Sequence, residues 1–291
     1  MATVNPALVH TPRKRGRVLT FVRRHPTIAF GGALLVLMAL IAILAPLLGT
    51  TDPQALAPRN RLKEPSALYW FGTDMLGRDV YSRVLYGARV SLAVGLSVAV
   101  LSTILGLAIG LVSGYIRLLD SIVMRIMDGL MSIPPVLLAI ALMALTRASM
   151  ENVILAITVS EIPRVSRLVR GLVLTLREQP FVEAAVATGT RLPAILLRHI
   201  LPNTLAPLIV QATYICASAI ITEAILSFIG AGTPPIIPSW GNIMAEGRAL
   251  FQVAAYIILF PAIFLSVTVL AVNLLGDGLR DALDPRLARR L

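Results

Sequence analysis

The sequence predicts an all-α membrane protein that crosses the bilayer six times, with both termini in the cytoplasm. Hydrophobic residues make up 57% of the 291 residues and charged residues only 14%, whereas a soluble domain carries about 25% charged residues. The chain holds six apolar stretches of the length needed to cross a bilayer core, about 20 residues each. Its arginines cluster at alternate ends of these stretches, which is typical of cytoplasmic loops.

The first predicted helix follows a basic tail. Residues 1–27 are polar and carry six basic residues from position 13 onward, and residues 28–48 are apolar. A basic start before an apolar run also describes a signal peptide, but this run exceeds the roughly 7–15 residues of a signal core. We therefore expect a cytoplasmic tail over 1–27 and a first transmembrane helix over 28–48.

An extracytoplasmic segment is expected next, over residues 49–87. Its acidic and basic residues nearly balance, and prolines at Pro53, Pro58 and Pro65 indicate turns. Such a mixture of charges and turns does not suit the interior of a bilayer, so this segment is predicted to lie outside it.

Five further apolar stretches predict a core over residues 88–276. They cover about residues 88–115, 122–145, 153–174, 204–230 and 253–275. Counting crossings from a cytoplasmic N-terminus places the loop over 176–203 and the tail over 277–291 inside. These two regions and the helix end before the loop are rich in arginine: Arg167, Arg170, Arg177, Arg191, Arg198, Arg280, Arg286, Arg289 and Arg290. The positive-inside rule therefore supports the predicted orientation.

Glycines and prolines indicate how the helices pack. Gly106, Gly110 and Gly114 lie on one face of the second helix, and small residues allow membrane helices to approach closely. Prolines interrupt the third, fourth and sixth helices, at Pro134-Pro135, Pro163 and Pro261. They are either static kinks or hinges for a conformational change, and the sequence alone does not separate these alternatives.

Composition argues against several functions. The net charge of +11 comes from arginines at the ends of apolar runs, not from a basic stripe with interleaved aromatics that would bind nucleic acid. The only lysines, Lys14 and Lys63, do not follow a glycine, so a phosphate-binding P-loop is excluded and any ATP hydrolysis must come from another chain. The three histidines are dispersed and Cys216 is the only cysteine, so we expect no catalytic residue, no metal site and no membrane-embedded enzyme.

The most informative motif lies in the predicted cytoplasmic loop. It reads Glu183-Ala184-Ala185, then Gly189 after three residues, and Leu201-Pro202 further on. A short alanine-rich helix has little side-chain bulk and can lie in a groove of a partner. Gly189 allows either a sharp exit from that helix or a close backbone approach that a Cβ would block, and Pro202 suits the start of the next helix.

This pattern resembles the EAA loop of binding-protein-dependent ABC importer permeases. Other segments extend the resemblance to the dipeptide, oligopeptide and nickel branch, over nearly the whole chain after about residue 20: residues 70–79, 226–230, 239–242 and 273–286. The resemblance implies the type I importer permease fold and the C-type subunit of a permease heterodimer. It identifies Glu183, Ala184, Ala185, Gly189, Leu201 and Pro202 as the residues that couple the chain to an ATPase.

The resemblance also implies the partners and the location. A homologous permease, ATPase subunits that bind ATP and Mg²⁺, and an extracytoplasmic substrate-binding protein would assemble with this chain in a bacterial cytoplasmic (inner) membrane. The chain itself would bind no cofactor. Dipeptides, oligopeptides, glutathione-like peptides and nickel chelates all remain open as substrates. A standalone secondary transporter is the alternative, but it would leave the EAA loop unexplained and no internal repeat supports it.

Three groups of charged residues fall within the predicted helices. Glu161 lies three residues before Arg164, so it either forms an ion pair on one helix face or faces the translocation pathway. Glu223 is a second acid at membrane depth, with either a structural or a pathway role. Arg125 and Asp128 are expected to form a structural pair in the third helix.

Overall fold

The computed structural model describes residue 22 and residues 24–283, and within them the regular structure is helical. An isolated bridge between Thr73 and Asp79 is the only β-type pairing in this part of the chain, so the predicted all-α class is confirmed. The principal helices are α1 (Pro26–Leu44), α2 (Val80–Tyr115), α3 (Arg117–Met131), α4 (Pro135–Ala144), α5 (Met150–Leu176), α6 (Pro180–Ala187), α7 (Leu201–Phe228), α8 (Trp240–Gly247) and α9 (Tyr256–Leu283).

The helix bounds differ from the predicted segments at several ends. Helix α2 begins at Val80, inside the segment that we expected to be extramembrane up to residue 87. Helix α9 continues to Leu283, into the predicted C-terminal tail. Nearly all of the predicted N-terminal tail and residues 284–291 lie outside the described residues. The predicted segments stopped where charged residues begin. The helices continue past these residues, because a helix can extend beyond the apolar stretch that crosses a membrane.

Four helical segments between residues 24 and 283 are long and apolar enough to cross a membrane on their own: Pro26–Leu47, Val80–Tyr115, Leu192–Phe228 and Tyr256–Leu283. Helices α3 and α4 qualify only together, and they are bent by 89° at Ser132–Pro134. Helix α5 has 27 residues but is not among them, since it carries five charged residues. The count of six crossings therefore remains a prediction.

The glycine face of α2 packs against α5. A Cβ placed on Gly106 would lie 2.5 Å from Val165 Cβ, and one on Gly110 would lie 2.6 Å from Val169 Cβ. Gly114 meets Val173 in the same way, at 2.8 Å. The predicted close packing through these glycines is confirmed, and the helix that packs against them is α5.

The two ends of the bundle carry different structures. The C-terminal ends of α2 and α5 lie side by side, since Gly114 meets Val173, and α6 follows α5 at this end. The segment between α1 and α2 lies at the opposite end, where α2 begins. The 36 residues of α2 span about 54 Å at 1.5 Å per residue. Helix α6 and the α1–α2 segment are thus separated by the whole length of the bundle.

Candidate functional site

Helix α6 is a short, fully formed helix that contains the Glu-Ala-Ala motif. Pro180 occupies the first turn of this helix. A backbone N–H there has no partner within the helix, so proline, which lacks one, loses no hydrogen bond. At its other end the Thr190 N–H donates to the Ala185 carbonyl at 3.0 Å, and the Gly189 N–H donates to the Val186 carbonyl at 2.9 Å. These two bonds form a Schellman motif, which satisfies carbonyls that the helix itself leaves open.

Gly189 ends α6 because of its backbone conformation. Its φ is +76°, in the left-handed region that costs a residue with a Cβ about 1–2 kcal/mol. No atom lies within 4 Å of the position that a Cβ would take. Glycine is therefore favoured here because the sharp exit from α6 needs a positive φ. A close backbone approach, the other explanation, is not found among the described residues.

The two faces of α6 have different surroundings. Val182 and Ala185 are buried against the bundle, and Val182 shares one hydrophobic core with Ile195 and Ile200. The opposite face is exposed and consists of small or apolar residues with one acid: Phe181, Glu183, Ala184, Val186 and Ala187. Because alanine side chains are small, another protein can approach the backbone of α6 closely on this face.

Leu201 and Pro202 lie where the chain returns to the bundle, but the helix starts earlier than expected. A short helical turn at Leu192–Ala194 and a π-helical stretch at Ile195–Ile200 lead directly into α7. Pro202 is therefore near the start of the α-helical part, as predicted, yet it lies inside one continuous helical segment. The sequence carried no signal for this stretch.

Only some residues of the Glu-Ala-Ala loop belong to the hydrophobic core under α6. Leu201 packs against the cluster that contains Val182, Ile195 and Ile200, so α6 and the start of α7 share one hydrophobic core. The Phe181 and His199 rings lie 6.5 Å apart, between centroids. Glu183, Ala184, Gly189 and Pro202 stay exposed and make no contribution to this core.

Glu161 lies at the seam between α5 and α7. Its side chain is 2% exposed and lies 3.5 Å from Arg164, measured from Oε2 to Nη1. Ser218 of α7 donates to its other oxygen, Oε1, at 3.2 Å. The expected ion pair on one helix face is thus present, and the second oxygen of Glu161 accepts no hydrogen bond.

Glu223 of α7 is fully buried among hydroxyl groups. Ser227 donates to its Oε1 at 2.8 Å and Ser91 of α2 to its Oε2 at 3.4 Å. The Ser227 hydroxyl lies 3.2 Å from that of Thr233, to which Asn242 of α8 donates at 3.0 Å. These bonds tie α2, α7 and the segment that leads into α8 together. Sequence reasoning found the acid but missed its partners: Ser227 lies one turn further along α7, whereas Ser91 is 132 residues away.

The expected pair of Arg125 and Asp128 is not formed. Asp128 instead accepts from Arg167 of α5, at 2.5 Å. One turn along α5, Arg170 binds Asp120 through both carboxylate oxygens, at 2.5 and 2.7 Å. Arg164, Arg167 and Arg170 therefore form a row at intervals of three residues, and two of them bind acids of α3. The spacing of the arginines on α5 was the available signal for these pairs between helices.

Across residues 24–283, no group of three His, Cys, Asp or Glu side chains could hold a metal ion.

Comparisons with known proteins agree on one family. Residues 102–289 match the family described as binding-protein-dependent transport system inner membrane component. A probable peptide ABC transporter permease of Sinorhizobium fredii is 55% identical over 94% of this chain and 94% of its own length. A dipeptide transport system permease of Alkalihalophilus pseudofirmus is 45% identical, over 85% of this chain and 82% of its own length. A glutathione transport system permease of Pectobacterium atrosepticum is 42% identical, over 92% and 89%.

A solved structure resembles the chain as well. A chain of the MetNI methionine ABC transporter, in inward facing conformations, superposes with a TM-score of 0.59 at 22% identity. The match covers 69% of this chain and 96% of that one. A likeness at this identity concerns the fold alone, and it confirms the predicted importer permease fold.

Proposed function

Because this chain belongs to the family of inner membrane components of binding-protein-dependent transport systems, we propose that it is the permease subunit of an ABC importer for peptides. The similar proteins named for peptide, dipeptide and glutathione transport support this substrate class. A standalone secondary transporter does not fit a family whose members depend on a binding protein. Family membership also makes the chain a transport protein of the cytoplasmic membrane and not an enzyme.

The observation that carries the proposal is the exposed face of α6. Ala184 and its neighbours have no partner within the described residues that would cover them, while Val182 and Ala185 fix the same helix to the bundle. A helix that is anchored on one side and bare on the other can pass a displacement from a docked protein to α5 and α7. We assign the docked protein as an ATPase subunit that binds ATP and Mg²⁺.

The remaining partners follow from the same proposal. A homologous permease would complete the pathway as a heterodimer, and an extracytoplasmic binding protein would deliver the peptide at the end of the bundle opposite α6. The assigned coupling residues are Glu183, Ala184, Ala185, Gly189, Leu201 and Pro202. The exposed ones would touch the ATPase, whereas Ala185 and Leu201 would transmit its movement through their packing.

The test is co-purification of the ATPase with the assembled complex. Ala184→Trp places a large side chain on the exposed face of α6 and should lower recovery of the ATPase about tenfold, a loss of about 1.4 kcal/mol in binding. Ala55→Trp is the matched control, because Ala55 is also exposed but lies at the opposite end of the bundle. ATPase recovery and ATP-driven peptide uptake that stay normal in the Ala184 variant would contradict the proposal.

A further inference from the structure

Arg164 exposes its guanidinium at the middle of α5. Its side chain is 46% exposed, and it lies between the helix ends Met150 and Leu176, about 20 Å from each at 1.5 Å per residue. In the predicted topology of six crossings this position lies near the bilayer centre, where a charge that faces lipid costs about 2.5–3.5 kcal/mol on insertion scales. That topology therefore requires this face of α5 to border water or protein in the assembled transporter.

Arg164 differs from the two arginines that follow it in the row. Arg167 and Arg170 each donate to an aspartate at 2.5 Å. Arg164 lies 3.5 Å from Glu161, and no hydrogen bond from its guanidinium is found among residues 24–283. Since a guanidinium has five N–H donors in a planar fork, Arg164 keeps most of them available for another acceptor.

Glu161 is placed to position Arg164 without covering it. The acid is buried behind the arginine, at 2% exposure, and the Ser218 hydroxyl fixes one of its oxygens. The ion pair therefore has a buried acid and an outward-facing base. Glu161 itself is too enclosed to touch a passing molecule, so of the two charges only Arg164 can do so.

An open groove lies between α7 and the end of α9, with Leu168 of α5 at its edge. It has a volume of about 730 Å³ and is lined by Leu168, Asn203, Gln211, Tyr214 and Arg280, among others. Leu168 lies one turn from Arg164 on α5, and Tyr214 lies one turn from Ser218 on α7. The groove therefore begins near Asn203, close to the coupling loop, and ends one helical turn short of Arg164 and Ser218, neither of which lines it.

We propose that Arg164 binds the carboxylate of a peptide in transit and that Glu161 is its positioning residue. This inference rests on the proposed function and adds the chemical group that the pathway recognises. A carboxylate matches the guanidinium fork through two parallel hydrogen bonds, and every peptide with a free C-terminus carries one. A neutral amide at the C-terminus lacks the charge for this contact.

The first experiment asks whether Arg164 borders water. Cys216 is the only cysteine, so Cys216→Ala gives a cysteine-free background in which Arg164→Cys can be labelled in the assembled complex with an anionic, water-soluble thiol reagent. The control is Leu270→Cys, an apolar and half-exposed position of α9. We expect labelling at 164 to be at least about tenfold faster, because the reactive thiolate is disfavoured in lipid. Equal slow labelling, or cross-linking of position 164 to the partner permease, would overturn the inference.

The second experiment asks which substrate group is recognised. ATP-driven uptake of a dipeptide and of its C-terminal amide is measured in reconstituted vesicles with the same binding protein. Arg164→Gln should lower uptake of the free acid about tenfold, as expected for losing a charged hydrogen bond of about 1.5 kcal/mol, and change uptake of the amide less than about twofold. Glu161→Gln should shift the same ratio in the same direction, and Glu161→Asp should restore part of it.

The outcomes separate the inference from the proposed function. A parallel loss of both substrates, or of neither, would overturn the carboxylate contact while leaving a peptide importer intact. A wild-type complex that takes up no peptide would overturn the proposed function and the carboxylate contact with it. The labelling result still decides, in that event, whether Arg164 borders an aqueous path.

Discussion

Arg83 of α2 and Glu246 of α8 form a bidentate ion pair across 163 residues of sequence, with Nη1–Oε2 at 2.5 Å and Nη2–Oε1 at 2.9 Å. Asp74 joins the pair at 2.6 Å from Arg83 Nη1, and Arg78 binds both acids. The Arg83 side chain is 1% exposed. This network fastens the α1–α2 segment to the beginning of α2 and to α8, at the end of the bundle opposite α6.

Glu246→Leu should destabilise the chain by about 3 kcal/mol, because removing one member of a buried ion pair leaves its partner uncompensated. We place the loss at the low end of the range, since Glu246 keeps 25% exposure and Asp74 still faces Arg83. Thermal unfolding of the purified complex can be followed with a thiol-reactive dye that reports the exposure of Cys216. Arg59→Gln is the control, because Arg59 is exposed and has no ion pair among the described residues. Equal melting temperatures for the two variants would show that the network contributes little.

Gly110→Ala should disrupt the packing of α2 on α5. The added Cβ would lie 2.6 Å from Val169 Cβ and 2.7 Å from the Ser166 carbonyl oxygen, and backbone atoms cannot easily move aside. Overpacking of this kind costs about 1–3 kcal/mol. Gly171→Ala is the matched control on α5, where nothing lies within 4 Å of the new Cβ. The same thermal assay should show a lower melting temperature for the first variant only, and a loss in both would point to backbone flexibility instead.

Gly189→Val should impair coupling more than Gly189→Asn. Space is open for both side chains, so the difference depends on φ at +76°. Asparagine tolerates the left-handed region, whereas a β-branched residue there is strained. The measurement is ATPase activity of the complex with and without the binding protein and peptide. We expect stimulation by the peptide-loaded binding protein to fall in the valine variant and to persist with asparagine. Equal loss in both would mean that side-chain volume, through contact with the ATPase, is the cause.

Local features of this fold were predictable from the sequence. The glycine face of α2, the helical form of α6 and the sharp exit at Gly189 all follow from residues within a few positions of each other. Such features depend on helical periodicity and on backbone preferences, which a sequence displays directly. The same holds for the ion pair of Glu161 and Arg164, which are one turn apart.

Long-range features were not predictable in this way. Asp128 has a basic residue one turn away at Arg125, yet Arg167 of α5 binds it at 2.5 Å. Glu246 binds Arg83, and Ser91 donates to Glu223, over more than a hundred residues. Local spacing cannot reveal such partners, because they depend on which helices pack together and in which register. The π-helical stretch before α7 also has no local signal in the sequence, and its residues Ile195 and Ile200 are buried in the same core as Val182 of α6.

Glu223→Gln and Glu223→Leu should have different effects, because the acid is enclosed by hydroxyl groups. Glutamine has nearly the same shape and can still accept from Ser227, so we expect a melting temperature close to that of the wild type. Leucine removes both acceptors, Oε1 for Ser227 at 2.8 Å and Oε2 for Ser91 at 3.4 Å. An unsatisfied buried donor costs about 1–3 kcal/mol, so this variant should unfold at a clearly lower temperature.

Peptide uptake by the glutamine variant then decides between the two roles that remained open for Glu223. A structural role requires only the hydrogen bonds, so uptake should stay near normal when glutamine replaces the acid. A pathway role requires the charge or its proton, so uptake would fall although stability does not. We expect the first result, because Glu223 is fully buried and its carboxylate oxygens face Ser227 and Ser91. An uptake defect in a stably folded Glu223→Gln complex would instead place this acid on the route of the substrate.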